Sequence, residues 1–549
     1  MFLSARLSRW TKPATWALTI VILAFAAYLR FASLATGLPH RTSRPDEYPV
    51  LAATADIRQD FRLHYWIYPG LFVYTMWAWC YAAHLLVPSS TGGLTYAEAV
   101  RQAPANLILA GRTLSATAAV TTVGLTMLIG RRLGGRPTAL LAGLLVAVNG
   151  VLVRDAHSMK ADTLLSLAFL ATIAVMMRQR TPGRARDGIC LGAAVGAACG
   201  IKYSAITGVL AYAGEMVEGS GWRRFVPSGR LWVAGLTATV VFLVSSISIF
   251  FDWQGFRNVT AWNALGVFNT GPTLTPELSD VARYLPWSIS GQSFDYHLTR
   301  SLRLGSGYLT AIVLLPALVW ALAFAGKKFR VIAVCFLIYL VLIGTSAVRL
   351  VRYFSPIVPL VSLMVAGAIA RGSERVSSGS ARAVLLVAVG LVLAAEPARR
   401  SLGFVRVAGE KDTRVLASEF LAAKLAPGTR VAILGTHIWP YGAPDVPPKL
   451  ERLADAANVR PGDVVVTHDH HSIGFSRIAP GDLERAAPCR TELARFSPYD
   501  ERWRGSLYEP ADAYYVPLDG FHGVVRPGPI VTIWRAEACA QPPPSTSAP

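Results

Sequence analysis

The sequence predicts a polytopic α-helical membrane protein with a small α/β domain at its C-terminal end. Of the 549 residues, 53% are hydrophobic and only 16% charged, less charge than a soluble chain of this length carries. Several apolar runs reach the roughly 20 residues that cross a bilayer core. The formal net charge of +20 is concentrated in Lys and Arg at the ends of those runs, as the positive-inside bias requires. The basic excess therefore points to a bilayer as the partner and not to nucleic acid.

The first run, "ATWALTIVILAFAAYLRFASLA" at residues 14 to 35, follows Arg6, Arg9 and Lys12. A cleaved signal peptide has the same flanks, but its apolar core is shorter and no train of further spans follows it. Short basic loops come next: "RRLGGR" at 131, "RQRTPGRAR" at 178, "WRRFVPSGR" at 222, "KKFR" at 327 and "RGSERVSSGSAR" at 371. Placing these and the N-terminus on the cytoplasmic side predicts spans near 14–35, 107–130, 138–153, 163–177, 188–200, 202–217, 231–251, 306–326, 331–348, 353–370 and 382–397. That makes about 11 transmembrane helices in a domain of residues 1–397.

The run "YWIYPGLFVYTMWAWCYAAHLLV" at 65 to 87 breaks the parity. Its Tyr and Trp favour the headgroup level, so it reads as a helix on or dipping into the outer interface; a true span with a different helix count is the alternative. The external side then receives residues 36–106, the loop from 154, the loop 252–305 and the chain beyond 398. In that last part "DTRVLASEFLAAKL" has helical spacing, while "TRVAILG", "GDVVVTH" and "GPIVTIW" read as short strands. Residues 398–540 thus form an external α/β domain, and 541–549, "PPPSTSAP" with its preceding Gln, a disordered tail. Cys489 and Cys539 in that domain can pair if it faces an oxidising compartment, whereas Cys80, Cys190, Cys199 and Cys335 lie in apolar stretches.

Candidate chemistry lies on the predicted external side. Asp46 and Glu47 in "RPDEYP" follow the first span. They can simply start a helix, or one carboxylate can act as a general base on an incoming hydroxyl while its neighbour, about 100° round the helix, orients the acceptor or a cation. The loop "VRDAHSMKADTLL" offers Arg154, Asp155, His157, Lys160 and Asp162; Asp162 before Thr163 can cap the next helix. Asp46, Glu47, His157 and Asp162 could also hold a divalent metal ion. Lys202 and Tyr203 in "GIKYSA", Arg349, Arg352 and Tyr353 in "VRLVRYFSP", and Arg112 in "LILAGRTLS" lie at the same predicted level. Cations around an acidic pair at membrane depth suit a phosphate held beside a base. The "THDHH" stretch, His468 to His471, has ligand types but reads as a polar strand end.

Taken in order, "RPDEY", "RDAHSMKADTLLSLAF", "GIKYSA" and "VRYFSPIVP" resemble the bacterial branch of the protein O-mannosyltransferases, family 39 of the GT-C glycosyltransferases, related to the lipid A aminoarabinose transferases. The resemblance covers roughly residues 10 to 400. It implies a GT-C fold, a polyprenyl-phosphate monosaccharide as donor, and a hydroxyl on protein, glycan or lipid as acceptor. It also implies Asp46 as base, Asp162 as the second acidic residue, Arg154 as the arginine of its loop, and Lys202 and Arg352 toward the donor phosphate. Members of the family differ in metal use, so the resemblance leaves a divalent metal ion open and implies no other cofactor. The resulting expectation is a multi-pass plasma-membrane glycosyltransferase with a cytoplasmic N-terminus. A transporter or flippase is the rival from another class, but its ionisable residues belong near the midplane and these lie at one face.

Overall fold

The computed structural model describes residues 12–60, 62–178, 185–203, 229–259, 294–345, 349–435, 441–510, 512 and 514–539. The chain divides into two units, one built from Met1–Leu34, Asp46–Pro272 and Ile289–Val405, the other from Ala35–Pro45, Thr273–Ser288 and Arg406–Pro549.

Among the described residues, the regular structure of the first unit is helical. Its helices are α1 (Lys12–Phe31), α2 (Glu47–Asp60), α3 (Gly70–Leu86), α4 (Tyr96–Gln102), α5 (Pro104–Ala147), α6 (Gly150–Ala156), α7 (Ala161–Arg178), α8 (Ala185–Ile201) and α9 (Gly229–Ser245). They continue with α10 (Tyr308–Val319), α11 (Lys327–Thr345), α12 (Val358–Gly372) and α13 (Gly379–Ala408). Among the described residues, five helices are long and apolar enough to cross a membrane, six if one bent pair counts as a single span. Other predicted spans appear as shorter helices such as α7 and α9, and the span at 202–217 lies almost wholly outside the described residues.

Two predicted spans, 107–130 and 138–153, meet at a sharp break inside α5, where Gly134 and Gly135 leave helical geometry and Gly135 has φ 79°. The two halves fold back on each other: a Cβ on Gly143 would stand 2.4 Å from Met127, and one on Gly130 3.0 Å from the Ala139 backbone. The chain then breaks again at Asn149, whose side chain accepts from Leu152 N at 3.1 Å and starts α6. Arg30, wholly buried near the end of α1, donates to the carbonyls of Ala147 at 2.7 Å and Val146 at 2.9 Å, satisfying the end of α5. A second sharp bend, 117°, follows Ser306 at Gly307, whose φ of 85° only glycine adopts without strain.

Helices α8 and α9 lie in closest contact. Gly188, Gly192, Gly196 and Gly200 recur every four residues on α8, and a Cβ on three of them would meet the carbonyls of Arg230, Ala234 and Ala238 of α9 at 2.7, 2.3 and 2.6 Å. Small residues at that spacing let membrane helices touch backbone to backbone, where dispersion replaces the missing hydrophobic drive. Helix α3 is 17 residues long, about 25 Å and short of a bilayer core. Its N-terminal approach is pinned to the end of α9: Leu63 N donates to Ser248 Oγ at 2.9 Å, Gly70 N to Ser246 Oγ at 3.1 Å, and Trp66 Nε1 to Asp252 Oδ2 at 2.5 Å.

The polarity of the unit follows from its loops. Leu133, Lys327 and Arg371, from three of the basic loops expected on one side, line a single cavity. Arg112 near the start of α5, Asp162 at the start of α7 and Arg352 just before α12 mark the opposite ends of the same helices.

The last segment of the second unit runs from Arg406. Helix α13 runs on to Ala408 through Pro397, because the end of an apolar run is not the end of a helix whose polar continuation still makes its hydrogen bonds. The unit also takes in residues 35–45. Beyond α14 (Thr413–Lys424), strands β1 (Arg430–Leu434), β2 (Glu451–Arg452), β3 (Val464–Asp469), β4 (Arg490–Phe496) and β5 (Ile530–Ala536) form one mixed sheet in the order β2-β1-β3-β5-β4. Strands β1, β2 and β3 are parallel, and β5 runs antiparallel to β3 and β4. The three strands read from the sequence form its centre; β2 and β4 are the additions. The stretch 541–549 lies outside the described residues.

Arg414 and Asp412 are the unit's buried pair, with Nη2 to Oδ2 at 2.7 Å. Burial alone would raise the Asp412 carboxyl, but Arg414 outweighs it and holds the group below the usual carboxylate range. Arg414 also donates to Ser43 O at 3.3 Å and Tyr441 O at 2.5 Å, and Arg44 lies 3.7 Å from the Tyr514 ring centre, so residues 35–45 are anchored from several directions. Cys489 and Cys539 form a disulfide, tying the start of β4 to the residues after β5.

Two substitutions check this architecture. Gly196→Leu should force α8 off α9 and lower stability by about 1–3 kcal/mol, seen as a fall in Tm in detergent. Cys489→Ser opens a loop of 50 residues and should cost up to about 4 kcal/mol by the chain-entropy relation, read as earlier proteolysis of the C-terminal unit.

Candidate active site

The site is built in the first unit where the chain re-enters it at Asp46. Asp46 has φ 69°, a left-handed conformation that Asp tolerates better than most residues. It precedes α2, and its carbonyl accepts from Val50 N at 3.1 Å. The two adjacent carboxylates have unlike surroundings. Asp46 is 32% exposed with Lys160 Nζ at 3.7 Å, whereas Glu47 is 0% exposed.

Glu47 is locked. Arg112 donates Nε to Oε1 at 2.9 Å and Nη2 to Oε2 at 2.7 Å, and Met159 N donates to Oε1 at 2.9 Å. The third guanidinium nitrogen of Arg112 reaches Leu34 O at 2.6 Å. Gly111 makes room for this arrangement, since a Cβ there would stand 2.5 Å from Met159 Sδ. Arg112, expected toward a phosphate, and Glu47, expected as a catalytic carboxylate, are bonded to each other in this structure. Both side chains are buried, and Met159 N ties the loop before α7 to the pair.

His157 is likewise enclosed. It is wholly buried, with Nδ1 2.8 Å from Val153 O and Nε2 2.7 Å from Ala32 O, and its ring meets Phe404 edge-on at 5.0 Å. A metal held by Asp46, Glu47, His157 and Asp162 does not fit this geometry, because the donor atoms of Glu47 and His157 face Arg112 and backbone groups. Among the described residues, no three His, Cys, Asp or Glu side chains converge as metal ligands. Asp155 accepts from Ser355 Oγ at 2.5 Å, joining α6 to the 3₁₀ turn Val351–Ile357, and Arg154 beside it is buried.

The cations gather around Asp162. Its Oδ1 is 2.5 Å from Lys202 Nζ and its Oδ2 3.6 Å from Arg352 Nε. Lys202 keeps 26% exposure and Arg352 14%, while Asp162 keeps 3%. The Lys202 ammonium stands 4.7 Å from the Tyr353 ring centre, a cation–π distance. Tyr203 turns into an aromatic group with Phe242 and Phe256 at 6.5 and 6.0 Å. Arg349 is half-buried and within electrostatic reach of His297. A residue the sequence reading missed is Tyr68, 7% exposed and within electrostatic reach of Asp46, Asp162 and Arg352. Lys160 also gains weight as the cation beside Asp46. In the second unit, His470 Nδ1 accepts from Ser472 N and Ile473 N, both at 3.1 Å, and Tyr499 OH lies 3.1 Å from His470 Nε2 and 3.0 Å from His471 Nδ1. This is the hydrogen bonding of a strand end.

Removing one partner of the Glu47–Arg112 pair leaves an uncompensated buried charge. Arg112→Ala should therefore lower stability by about 3–5 kcal/mol, measured as Tm in detergent, while Asp46→Asn, half-exposed, should leave Tm unchanged.

Residues 105–247 match the model of the family described as dolichyl-phosphate-mannose-protein mannosyltransferase. That segment contains Arg112, Arg154, Asp155, His157, Asp162, Lys202 and Tyr203; Asp46 and Arg352 lie outside it. Comparison with curated proteins gives no match. In structure the chain is similar to apo ArnT from Cupriavidus metallidurans, at 16% identity and TM-score 0.51 over 95% of this chain and 98% of that one. It is also similar to the apo oligosaccharyltransferase of Archaeoglobus fulgidus, at 10% identity and TM-score 0.52 over 89% of this chain and 74% of that one. At such identities the likeness is one of fold. The chain is thus a membrane protein of the GT-C glycosyltransferase fold whose residues 105–247 resemble the protein mannosyltransferase family.

Proposed function

We propose that the protein is an inverting glycosyltransferase that moves a monosaccharide from a polyprenyl-phosphate donor to a hydroxyl of a protein, glycan or lipid acceptor. The observation that carries this reading is the division of labour at the site. A half-exposed carboxylate, Asp46, stands beside Lys160, while Lys202 and Arg352 are gathered on Asp162 and remain partly exposed. The description of the matched family supports it, since it names a dolichyl-phosphate-linked mannose.

In the reaction, Asp46 accepts the proton of the acceptor hydroxyl. The oxygen so freed attacks the anomeric carbon in line, and the bond from that carbon to the donor phosphate breaks. Its electron pair leaves on the phosphate oxygen, giving polyprenyl phosphate and a glycoside of inverted configuration. Negative charge builds on the leaving group beside Lys202 and Arg352, which are held in place before the donor arrives and act in a low-dielectric setting. Asp162 prevents the mutual repulsion of these two cations and is a positioning residue, and Asp46 returns its proton to water. No step needs a metal, consistent with Glu47 and His157 being engaged elsewhere.

The proposed location is the plasma membrane, with a cytoplasmic N-terminus and the second unit outside. The convergence of basic loops at the end of the bundle opposite the site supports this orientation. So does the Cys489–Cys539 bond, of a kind that persists in oxidising compartments.

Transfer of labelled sugar from a polyprenyl-phosphate sugar to acceptor tests the reading. Asp46→Asn should lower kcat by about 10²–10⁴-fold at unchanged Tm, and Lys202→Ala should also lower kcat. Full activity in Asp46→Asn would remove it as the base.

A further inference from the structure

The cavity lined by Leu133, Lys327 and Arg371, at the end of the helical unit remote from Asp46, measures ≈ 600 Å³, inside the range that takes a small ligand. Its floor is apolar. Phe329 meets Trp320 edge-on at 4.8 Å between ring centres, and both close over Gly367, where a Cβ would stand 2.4 Å from Phe329 and 3.2 Å from Trp320. The rim is basic. Among the lining residues, Lys327, Lys328 and Arg371 stand against a single carboxylate, Glu374. That carboxylate is bonded to Arg371 and also has Arg382 Nη2 at 3.7 Å. Helix α11 starts at Lys327, so the positive end of its dipole adds to the rim. Phe324, at the lip, is 79% exposed, a large apolar surface that water solvates poorly and a hydrocarbon chain would cover.

We propose that this cavity binds an anionic phospholipid of the adjoining leaflet, with its phosphodiester on Lys327 and Lys328 and the start of its acyl chain on Phe324 and Trp320. Basic pockets between membrane helices on the cytoplasmic side suit such head groups. An inorganic anion would use the rim and leave the aromatic floor uncovered; a neutral lipid would do the reverse. The combination of the two surfaces selects a lipid with a charged head. The inference is independent of the reaction proposed for Asp46, because it uses none of the same residues.

The test is lipid retention by the full chain in detergent, measured by native mass spectrometry with added phosphatidylglycerol or phosphatidylcholine. Phosphatidylglycerol should be retained preferentially. Lys327→Gln with Lys328→Gln should weaken it about thirtyfold, and Phe324→Ser should weaken it at unchanged charge. Arg186→Gln, at an exposed position at the start of α8 outside the cavity, should change nothing. Equal retention of the two lipids would overturn the proposal, as would an equal loss with Arg186→Gln. Unchanged retention in Phe324→Ser, or displacement by inorganic phosphate, would reassign the cavity to a free anion.

Discussion

The candidate site depends on the buried pair of Glu47 and Arg112. Withdrawing two charges from water costs several kcal/mol each, and such a pair holds only when further hydrogen bonds satisfy what remains. Here Met159 N completes Glu47 and Leu34 O completes Arg112. Four pieces of chain are thereby brought to one point: the exit of α1, the start of α2, the third turn of α5 and the loop before α7. His157 reinforces the same junction from Ala32. Asp46, with its left-handed backbone, directly precedes this clamped residue.

A second arrangement complements the first. Lys202 and Arg352 come from distant parts of the chain and would repel each other, yet both approach Asp162. A nearly buried carboxylate between two cations gives a polar centre that keeps its positive groups in register and partly exposed. The two acidic motifs of the sequence thus do different work. In one a partly exposed carboxylate adjoins a buried one, and in the other a nearly buried carboxylate has two cations beside it.

Much of this was legible in the sequence. The apolar runs point to the helical class, and the run "GDVVVTH" is strand because β3 is buried on both faces between β1 and β5. Asp46, Asp162, Lys202 and Arg352 stood out because charge at the edge of an apolar segment demands a reason. The partner of each charge was not legible. Arg112 lies 65 residues from Glu47, and nothing local distinguishes a buried clamp from a ligand-facing cation. His157 was read as a possible ligand because its type, and not its carbonyl neighbours, is what a sequence displays. Strand β4, "RTELARF", was missed because most of its residues are partly or fully exposed at the sheet edge, where polar residues are tolerated. Tyr68 was hidden within an aromatic run whose composition suggested only a headgroup anchor.

The glycine row of α8 bears on how the cation after it behaves. With backbone against backbone, α8 has no layer of adjustable side chains along α9, and Lys202 follows its last turn with its amide still bonded to Ala198 O at 3.2 Å. The ammonium is thus delivered by a stiff strut instead of a pliable tether. The entropy of fixing that end of the side chain is spent once, during folding, so the proposed phosphate contact would not have to organise its own receptor.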